Sequence, residues 1–245
     1  EDAYEEGKLM GSFAEDTAEH YQFTREQQDN FAITSLERAK KANEDGTFDS
    51  EIVPIKVLKR ENEIIINKDE QPFKSDITKI PTLKPAFRKN GTVTAANSSS
   101  ISDGASSVIL MLESEAQKRG IKPLARIIDH STNSQEPKWF TTAPIGAIEK
   151  VLEKSGWKKT DVDLFEVNEA FAVVPMAVMK DIGISKEILN IYGGACALGH
   201  PVGASGTRIV TTLINALKKN NLKKGLASLC IGGGEATALT LEIIN

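Results

Sequence analysis

The stretch GGACALGHPVGASG, residues Gly193–Gly206, places one of the three histidines of the chain in a turn with few large side chains. Glycine permits backbone conformations with positive φ and lets a ligand approach closely, and Pro201 restricts the backbone directly after the histidine. This combination predicts that His200 is held in one place and presented to a ligand. Taken alone, the same histidine could instead satisfy a hydrogen bond of the turn.

A second glycine turn carries one of the two cysteines. The sequence CIGGG, residues 230–234, puts Cys230 directly before three glycines whose amides could point at an oxygen anion. A plain strand loses packing and order at such a triplet, which favours a functional turn. The alternative is that Cys230 is a small buried apolar residue at a strand end. A thiol and an imidazole on two glycine turns together indicate acyl chemistry.

A third motif, NEAFA at residues 168–172, follows the apolar run 162–167. Asn168 therefore lies where a predicted strand gives way to a helical pattern. An asparagine at such a position is commonly just a helix cap, so the residue types alone leave its role open.

Length and composition exclude several classes of protein. The 245 residues suffice for a substantial core and predict two domains, 1–103 and 104–245, because the composition changes near Asp103. No apolar run approaches the roughly 18 residues of a membrane span, and 30 basic against 34 acidic residues without long blocks predict no nucleic-acid partner. Two cysteines make neither a disulfide framework nor a zinc site, which favours a reducing, cytoplasmic location and no bound metal.

Apolar periodicity predicts the secondary structure. Helical spacing from 17 to 43 includes a possible capping box at Thr24 and Gln27, short strands follow near 52–57 and 64–66, and 68–90 is predicted as loop with small helical turns. Beyond 103, strand and helix patterns alternate, which implies a mixed sheet with helices on its faces. Strands are expected near 105–113, 124–130, 162–167, 188–192, 225–231 and 236–243, and helices near 114–119, 144–155, 169–182 and from a Ser205 cap to about 219.

In this order and spacing, the three motifs resemble the C-terminal half of the thiolase family. The resemblance extends upstream through residues 10–11, 14–15, 25–29 and 91–95. It implies an α/β, thiolase-like fold: a C-terminal catalytic half, 104–245, with βαβαβαββ order and a mixed five-stranded sheet flanked by helices. It also implies that 1–103 is the inserted loop domain, which serves coenzyme A binding and tetramerisation.

The resemblance implies an acyltransferase that reversibly condenses two acetyl-CoA into acetoacetyl-CoA and coenzyme A. In that reaction His200 would activate a nucleophilic cysteine and help bind the thioester oxygen, and Cys230 would take the α-proton and return it in cleavage. Asn168 would hold a water that donates to the enolate oxygen, and the amide of Gly232 would complete an oxyanion hole.

Further residues are matched to substrate binding by the resemblance. Expected around the coenzyme A arm and the acyl group are Ser99, Phe87, Lys84, Met10, Phe140, Ala170 and Phe171. Glu169 would support the site by hydrogen bonding, and Cys196 would be a core residue without a role. Coenzyme A thioesters are expected as substrates, with no separate cofactor, and the subunits would form a homodimer or homotetramer.

Two features leave alternatives open. In the family the nucleophilic cysteine lies in the N-terminal half, and neither Cys196 nor Cys230 fits its position, so we expect this chain to lack the N-terminal half and to be inactive alone. The alternatives to an acetyl-CoA acetyltransferase are a degradative 3-ketoacyl-CoA thiolase with a longer acyl pocket and a non-catalytic module that binds coenzyme A.

Overall fold

The computed structural model describes residues 4–59 and 62–244. Its N-terminal part begins with two helices, α1 (Met10–Tyr21) and α2 (Arg25–Glu44), separated where Gln22 adopts a φ of 58°. The predicted capping box is confirmed: the Thr24 hydroxyl accepts from the Gln27 amide at 3.1 Å, and the Thr24 amide donates to Gln27 Oε1 at 3.0 Å. The box starts α2 at the residue after Thr24.

A small hairpin follows the two helices. Strands β1 (Ile55–Lys59) and β2 (Asn62–Ile66) pair antiparallel, which confirms the predicted pair of short strands. Next come the short helix α3 (Gln71–Lys74) and a 3₁₀ helix at Ile77–Thr82, as expected for a loop with small helical turns.

A mixed four-stranded sheet organises the C-terminal part. Its strands are β3 (Ala125–Ser134), β4 (Leu164–Val167), β5 (Lys224–Ile231) and β6 (Glu235–Ile243), in the order β3–β6–β5–β4. β4 is parallel to β5, whereas β5 and β3 are antiparallel to β6. The α/β class and the mixed sheet are therefore confirmed.

Helices cover both faces of this sheet. The helices of the C-terminal part are α4 (Glu113–Lys118), α5 (Ala143–Ser155), α6 (Val173–Val178, continued by a π-helical turn at Met179–Gly183), α7 (Ala195–Leu198) and α8 (Val202–Lys219), of which α5, α6 and α8 pack on the sheet. On one face α5 and α6 share a core with Phe165 and Val167 of β4, and on the other face α8 shares a core with Leu164. Successive strand residues point to opposite faces, so Glu166 follows Leu164 toward α8.

Two predicted strands are absent from the described residues, so the expectation of five strands is wrong. Near 188–192 only Leu189 bridges to Phe165, because Asn190 has a φ of 46° and its side chain exchanges two 2.8 Å hydrogen bonds with the backbone of Val167. Residues 105–112 have no regular secondary structure, no described strand pairs with them, and Ile109 is 85% exposed. High β-propensity does not make a strand without a partner.

The helix predicted for 169–182 begins four residues late. The backbone of this segment bonds another part of the chain: the Ser99 amide donates to Ala170 O at 3.0 Å, and the Ala172 amide donates to Asn97 O at 2.9 Å. These bonds hold the NEAFA motif as an irregular link, and α6 starts only at Val173.

Candidate active site

Asn168 and the Cys230 turn lie at the same edge of the sheet. Residues Val167 of β4 and Ser228 of β5 are paired in parallel register, and the Asn168 amide donates to Ser228 O at 3.0 Å. The carboxyl ends of parallel strands meet at one edge, where α/β folds place their ligand sites. The strand pairing thus brings two of the three motifs together.

The third motif joins them through His200. Its Nε2 lies 3.3 Å from Asn168 Nδ2, and its Nδ1 lies 2.5 Å from Ser205 Oγ. Because the Asn168 amide group donates, Nε2 is the acceptor and the ring proton lies on Nδ1, toward Ser205. The Ser205 hydroxyl donates onward to Pro201 O at 3.1 Å, so a hydrogen-bonded chain fixes the imidazole and its tautomer.

The backbone also anchors this histidine. The His200 amide donates to Ser100 O at 2.9 Å, and His200 forms a parallel bridge with Ile101. Burial lowers the pKa of His200, and the positive charge of Arg208 lowers that pKa further. The neutral ring is therefore favoured at neutral pH, which suits Nε2 to accept a proton.

Ser205 does not cap a helix, contrary to the prediction. α8 begins three residues earlier, at Val202, with Pro201 at the N-cap position. Ser205 instead lies in the first turn, buried, with its hydroxyl between the imidazole and the Pro201 carbonyl. Ser205 is therefore a site residue beside the imidazole, not the helix cap that the sequence predicted.

Asn168 serves neither as a cap nor as an ordinary core residue. It is buried, the following helix starts only at Val173, and its Oδ1 has no hydrogen-bond partner in the described part of the chain. A buried carbonyl oxygen without a partner costs free energy, so this acceptor is available for a ligand or water beside His200.

Cys230 is an almost fully buried thiol at the end of β5. Burial raises its pKa to about 12, and a backbone hydrogen bond acts in the opposite direction. The neutral thiol is a proton donor at neutral pH, and it becomes a base only when a bound substrate supplies compensating interactions.

The glycine triplet forms the tight turn between β5 and β6. Gly233 and Gly234 have φ values of +100° and +90°, which side chains rarely adopt. A Cβ on Gly234 would lie 2.2 Å from Gln135 O, and one on Gly232 would lie 3.4 Å from the Met10 side chain. Gly232 is thus the member of the turn that borders α1.

Five predicted substrate residues contribute to one apolar wall. Phe171 makes edge contacts with Phe87 and Phe140, at ring-centroid distances of 6.0 and 6.5 Å. Phe140, Phe171 and Ala170 are buried, and Met10 packs against the same core. Edge-to-face aromatic contacts hold such rings in fixed orientations.

Ser99 and Lys84 differ in their placement. The Ser99 hydroxyl donates to Ala170 O at 2.9 Å, which attaches it to the NEAFA link. Lys84 is exposed on the segment before Phe87, so its role near a nucleotide stays a prediction.

Glu169 is a buried structural carboxyl group. It accepts from the Ser35 hydroxyl at 2.7 Å, from Asn190 Nδ2 at 2.9 Å and from the Cys196 amide at 3.1 Å. Burial raises the pKa of Glu169. Burial also raises the pKa of Cys196 well above its usual value, and the negative charge of Glu169 raises it further. These contacts agree with a supporting role for Glu169 and a core role for Cys196.

Residues 4–59 and 62–244 support neither a metal centre nor a membrane-spanning helix. These residues hold no group of three or more His, Cys, Asp or Glu side chains that could bind a metal ion. Within them, too, no helix is long and apolar enough to cross a membrane.

Known proteins resemble this chain over nearly its whole length. The family model "Thiolase, C-terminal domain" matches residues 121–243, and "Thiolase, N-terminal domain" matches residues 1–114. A probable acetyl-CoA acetyltransferase from Dictyostelium discoideum is 52% identical over 242 residues, which are 98% of this chain and 58% of that protein.

Solved structures share the fold. The acetyl-CoA acetyltransferase of Bacillus anthracis matches with a TM-score of 0.96 at 44% identity, covering 100% of this chain and 62% of that chain. A thiolase from Ascaris suum in complex with coenzyme A matches with a TM-score of 0.87 at 39% identity, covering 97% and 60%. The chain spans about 60% of the length of these relatives.

The N-terminal match corrects one expectation. Residues 1–114 match the family's N-terminal domain, so the expectation that this chain lacks the N-terminal half and is inactive is not borne out. The C-terminal model covers half of the chain and includes both glycine turns and the asparagine motif. With the fold, the site geometry and both domain models in agreement, the chain belongs to the thiolase family.

Proposed function

We propose that this chain forms the α-carbon side of the active site of an acetyl-CoA acetyltransferase, which interconverts two acetyl-CoA with acetoacetyl-CoA and coenzyme A. The observation that carries the proposal is the contact between Asn168 and His200 at the sheet edge that also carries the Cys230 turn. The names of the Dictyostelium and Bacillus relatives support the substrate class.

In the cleavage direction, a thiolate attacks the β-carbonyl carbon of acetoacetyl-CoA and the bond between the α- and β-carbons breaks. The electron pair stays on the α-carbon as a thioester enolate, whose oxygen takes hydrogen bonds at the Asn168–His200 pair. The neutral thiol of Cys230 gives its proton to the α-carbon, which releases acetyl-CoA. Coenzyme A then gives its thiol proton to the Cys230 thiolate and attacks the acyl-enzyme. The acetyl group passes to coenzyme A, and the nucleophilic thiolate leaves and regains the proton held by His200.

The acyl-accepting thiolate is assigned to neither cysteine of this chain. Cys196 is buried beside Glu169, where both burial and negative charge favour its neutral form. We assign Cys230, at the glycine turn, to proton transfer at the α-carbon. His200, held neutral, takes the proton from the attacking thiol through Nε2.

The test is exchange of acetyl-CoA methyl protons in deuterium oxide, measured by mass spectrometry on the protein that carries this chain. We expect Cys230→Ala to lower the exchange rate by about 10²-fold or more, since general acid–base groups contribute on that order. Cys196→Ala is the matched control and should retain exchange. Exchange that survives Cys230→Ala unchanged would refute the assignment.

Acyl-chain preference follows from the aromatic wall. Phe140 is 3% exposed and, with Phe171, closes the apolar side of the site. We therefore expect faster cleavage of acetoacetyl-CoA than of a medium-chain ketoacyl-CoA. Faster medium-chain cleavage would instead favour a degradative 3-ketoacyl-CoA thiolase, and coenzyme A binding without turnover or exchange would favour a non-catalytic module.

The assembly and location are proposed on separate grounds. Apolar side chains are exposed on both strands of the hairpin, with Leu58 at 75% and Ile65 at 60%, as is common at subunit interfaces. This supports a homodimer or homotetramer, which light scattering on the purified protein would measure. Both cysteines are free thiols, which supports a cytoplasmic, reducing location.

A further inference from the structure

A contact between the buried Glu166 carboxyl group and the half-buried Arg208 guanidinium lies next to the catalytic contacts, and the mechanism above does not use it. Glu166 Oε2 of β4 lies 3.7 Å from Arg208 Nη1 of α8, with side-chain exposures of 3% and 20%. Burial raises the pKa of Glu166 to about 8, so its carboxyl group is largely protonated at neutral pH and becomes an anion beside Arg208 only above that value. Burying a titratable group beside a guanidinium costs free energy, so this contact needs a physical reason.

Glu166 and Arg208 lie on the same faces of the strand and the helix as the site residues Asn168 and Ser205. On β4, Glu166 lies two residues before Asn168, and on α8, Arg208 lies three residues after Ser205. Side chains at these spacings share a strand face and a helix face respectively. The Asn168–His200–Ser205 chain is thus one connection between β4 and the first turn of α8, and the Glu166–Arg208 contact is the next.

Farther from the site, the contacts between β4 and α8 are apolar. Leu164, two residues before Glu166, packs in one cluster with Ile209 and Leu213 of α8. Below the Glu166–Arg208 contact, α8 is therefore held to the sheet by nondirectional packing.

We infer that Glu166 and Arg208 are positioning residues that hold the first turn of α8 against β4, and thereby keep His200 in contact with Asn168 and Ser205. Neither side chain touches the reacting atoms; both act through His200. The inference rests on the proposed function only for its consequence in turnover.

The charges around Arg208 give the pair a measurable signature. Arg208 faces Glu166 of β4, Glu51 after α2, Asp69 before α3 and Glu169, and its positive charge acts on all four carboxyl groups. Burial raises the pKa of Glu166 to about 8, so its charge changes just above neutral pH. His200 should sense both the fixed charge of Arg208 and the ionisation of Glu166.

The first experiment follows the imidazole by NMR of ¹³C-labelled histidine across pH, with His20→Gln and His130→Gln to assign the three signals. Arg208→Gln should raise the pKa of His200, because a positive neighbour is lost. Arg208→Lys should restore most of the shift. Lys218→Gln, which removes an exposed charge from the same helix, is the matched control and should leave the His200 pKa unchanged.

The second experiment uses Glu166→Gln, which keeps the shape and removes the titration. The His200 signal should show a second inflection near pH 8 in the unmodified protein and lose it in Glu166→Gln. This variant also keeps the inference testable where Arg208→Gln does not fold.

Turnover is measured separately. Arg208→Gln should lower kcat for acetoacetyl-CoA cleavage by roughly tenfold to a hundredfold with little change in KM, since small displacements of catalytic groups have that effect. A His200 pKa and inflection unaltered in both variants would overturn the inference. Altered NMR titrations in a protein without thiolase turnover would instead contradict the proposed function alone.

Discussion

A single methyl group at Gly234 should destabilise the protein, because this glycine meets two constraints at once. Its φ is +90°, and an added Cβ would lie 2.2 Å from Gln135 O and 3.0 Å from atoms of the Glu136 and Pro137 backbone. In addition, Gly234 O accepts from the Gln135 amide at 2.9 Å. None of the clashing atoms is on a side chain that could rotate away.

The expected magnitude follows from these contacts. Holding a non-glycine residue in such a conformation costs about 1–3 kcal/mol, and pressing a methyl group into fixed backbone costs about 1–3 kcal/mol more. We therefore expect Gly234→Ala to lower the free energy of unfolding by roughly 2–6 kcal/mol. Gly203→Ala is the matched control: its Cβ would meet nothing within 4 Å, and alanine in a helix should stabilise the protein by about 0.5–1 kcal/mol.

The assay is urea unfolding followed by tryptophan fluorescence. Trp139 lies in the 3₁₀ helix Pro137–Thr142, directly after the predicted clash, and reports on that region. A Gly234→Ala protein within about 1 kcal/mol of the unmodified one would refute the reasoning, since that is the usual effect of an ordinary substitution. Proton exchange should fall as well, because the same turn carries Gly232 and follows Cys230.

Three further predictions concern stability. Phe140→Ala should lower the free energy of unfolding by about 3–5 kcal/mol in urea titrations. Phe73→Ala, at an exposed position, is the control and should change it by less than about 0.5 kcal/mol. Equal effects of the two substitutions would contradict the buried packing of Phe140 in the aromatic wall. Thr24→Ala removes half of the capping box with Gln27 and should cost about 1 kcal/mol in the same titration, and no loss would argue against the cap. Burial raises the pKa of Glu166 from 4.5 to about 8, so between these pH values the folded protein holds a proton that the unfolded chain releases. The free energy of unfolding should therefore fall as pH rises from about 4.5 to about 8. Measured at several pH values, this slope should be flatter in Glu166→Gln.

Local patterns predicted those parts of the fold that depend on neighbours along the chain. The capping box at Thr24, the helix of residues 143–155 and the strands on either side of the glycine triplet all match their predicted positions closely. Their signals are hydrogen-bonding side chains or apolar periodicity within a few residues. These elements form where predicted because their tertiary contacts favour the same conformation as their local sequence.

The failed predictions share a different cause. Asn190 replaces a strand ladder with side-chain hydrogen bonds to Val167, and the segment 97–99 takes the backbone bonds that would have started a helix at residue 169. Each depends on a contact with a segment distant in sequence, which periodicity does not encode.

The sequence by itself determined the chemistry available to this protein: one imidazole and one thiol on glycine turns, and an asparagine after a buried strand. Only the tertiary structure decided how these groups behave. The parallel pairing of β4 with β5 placed Asn168 at the edge beside the glycine turn, and α8 brought Ser205 and Arg208 to His200. Burial then set the proton affinities, because the free energy of a charge depends on the water and charges around it.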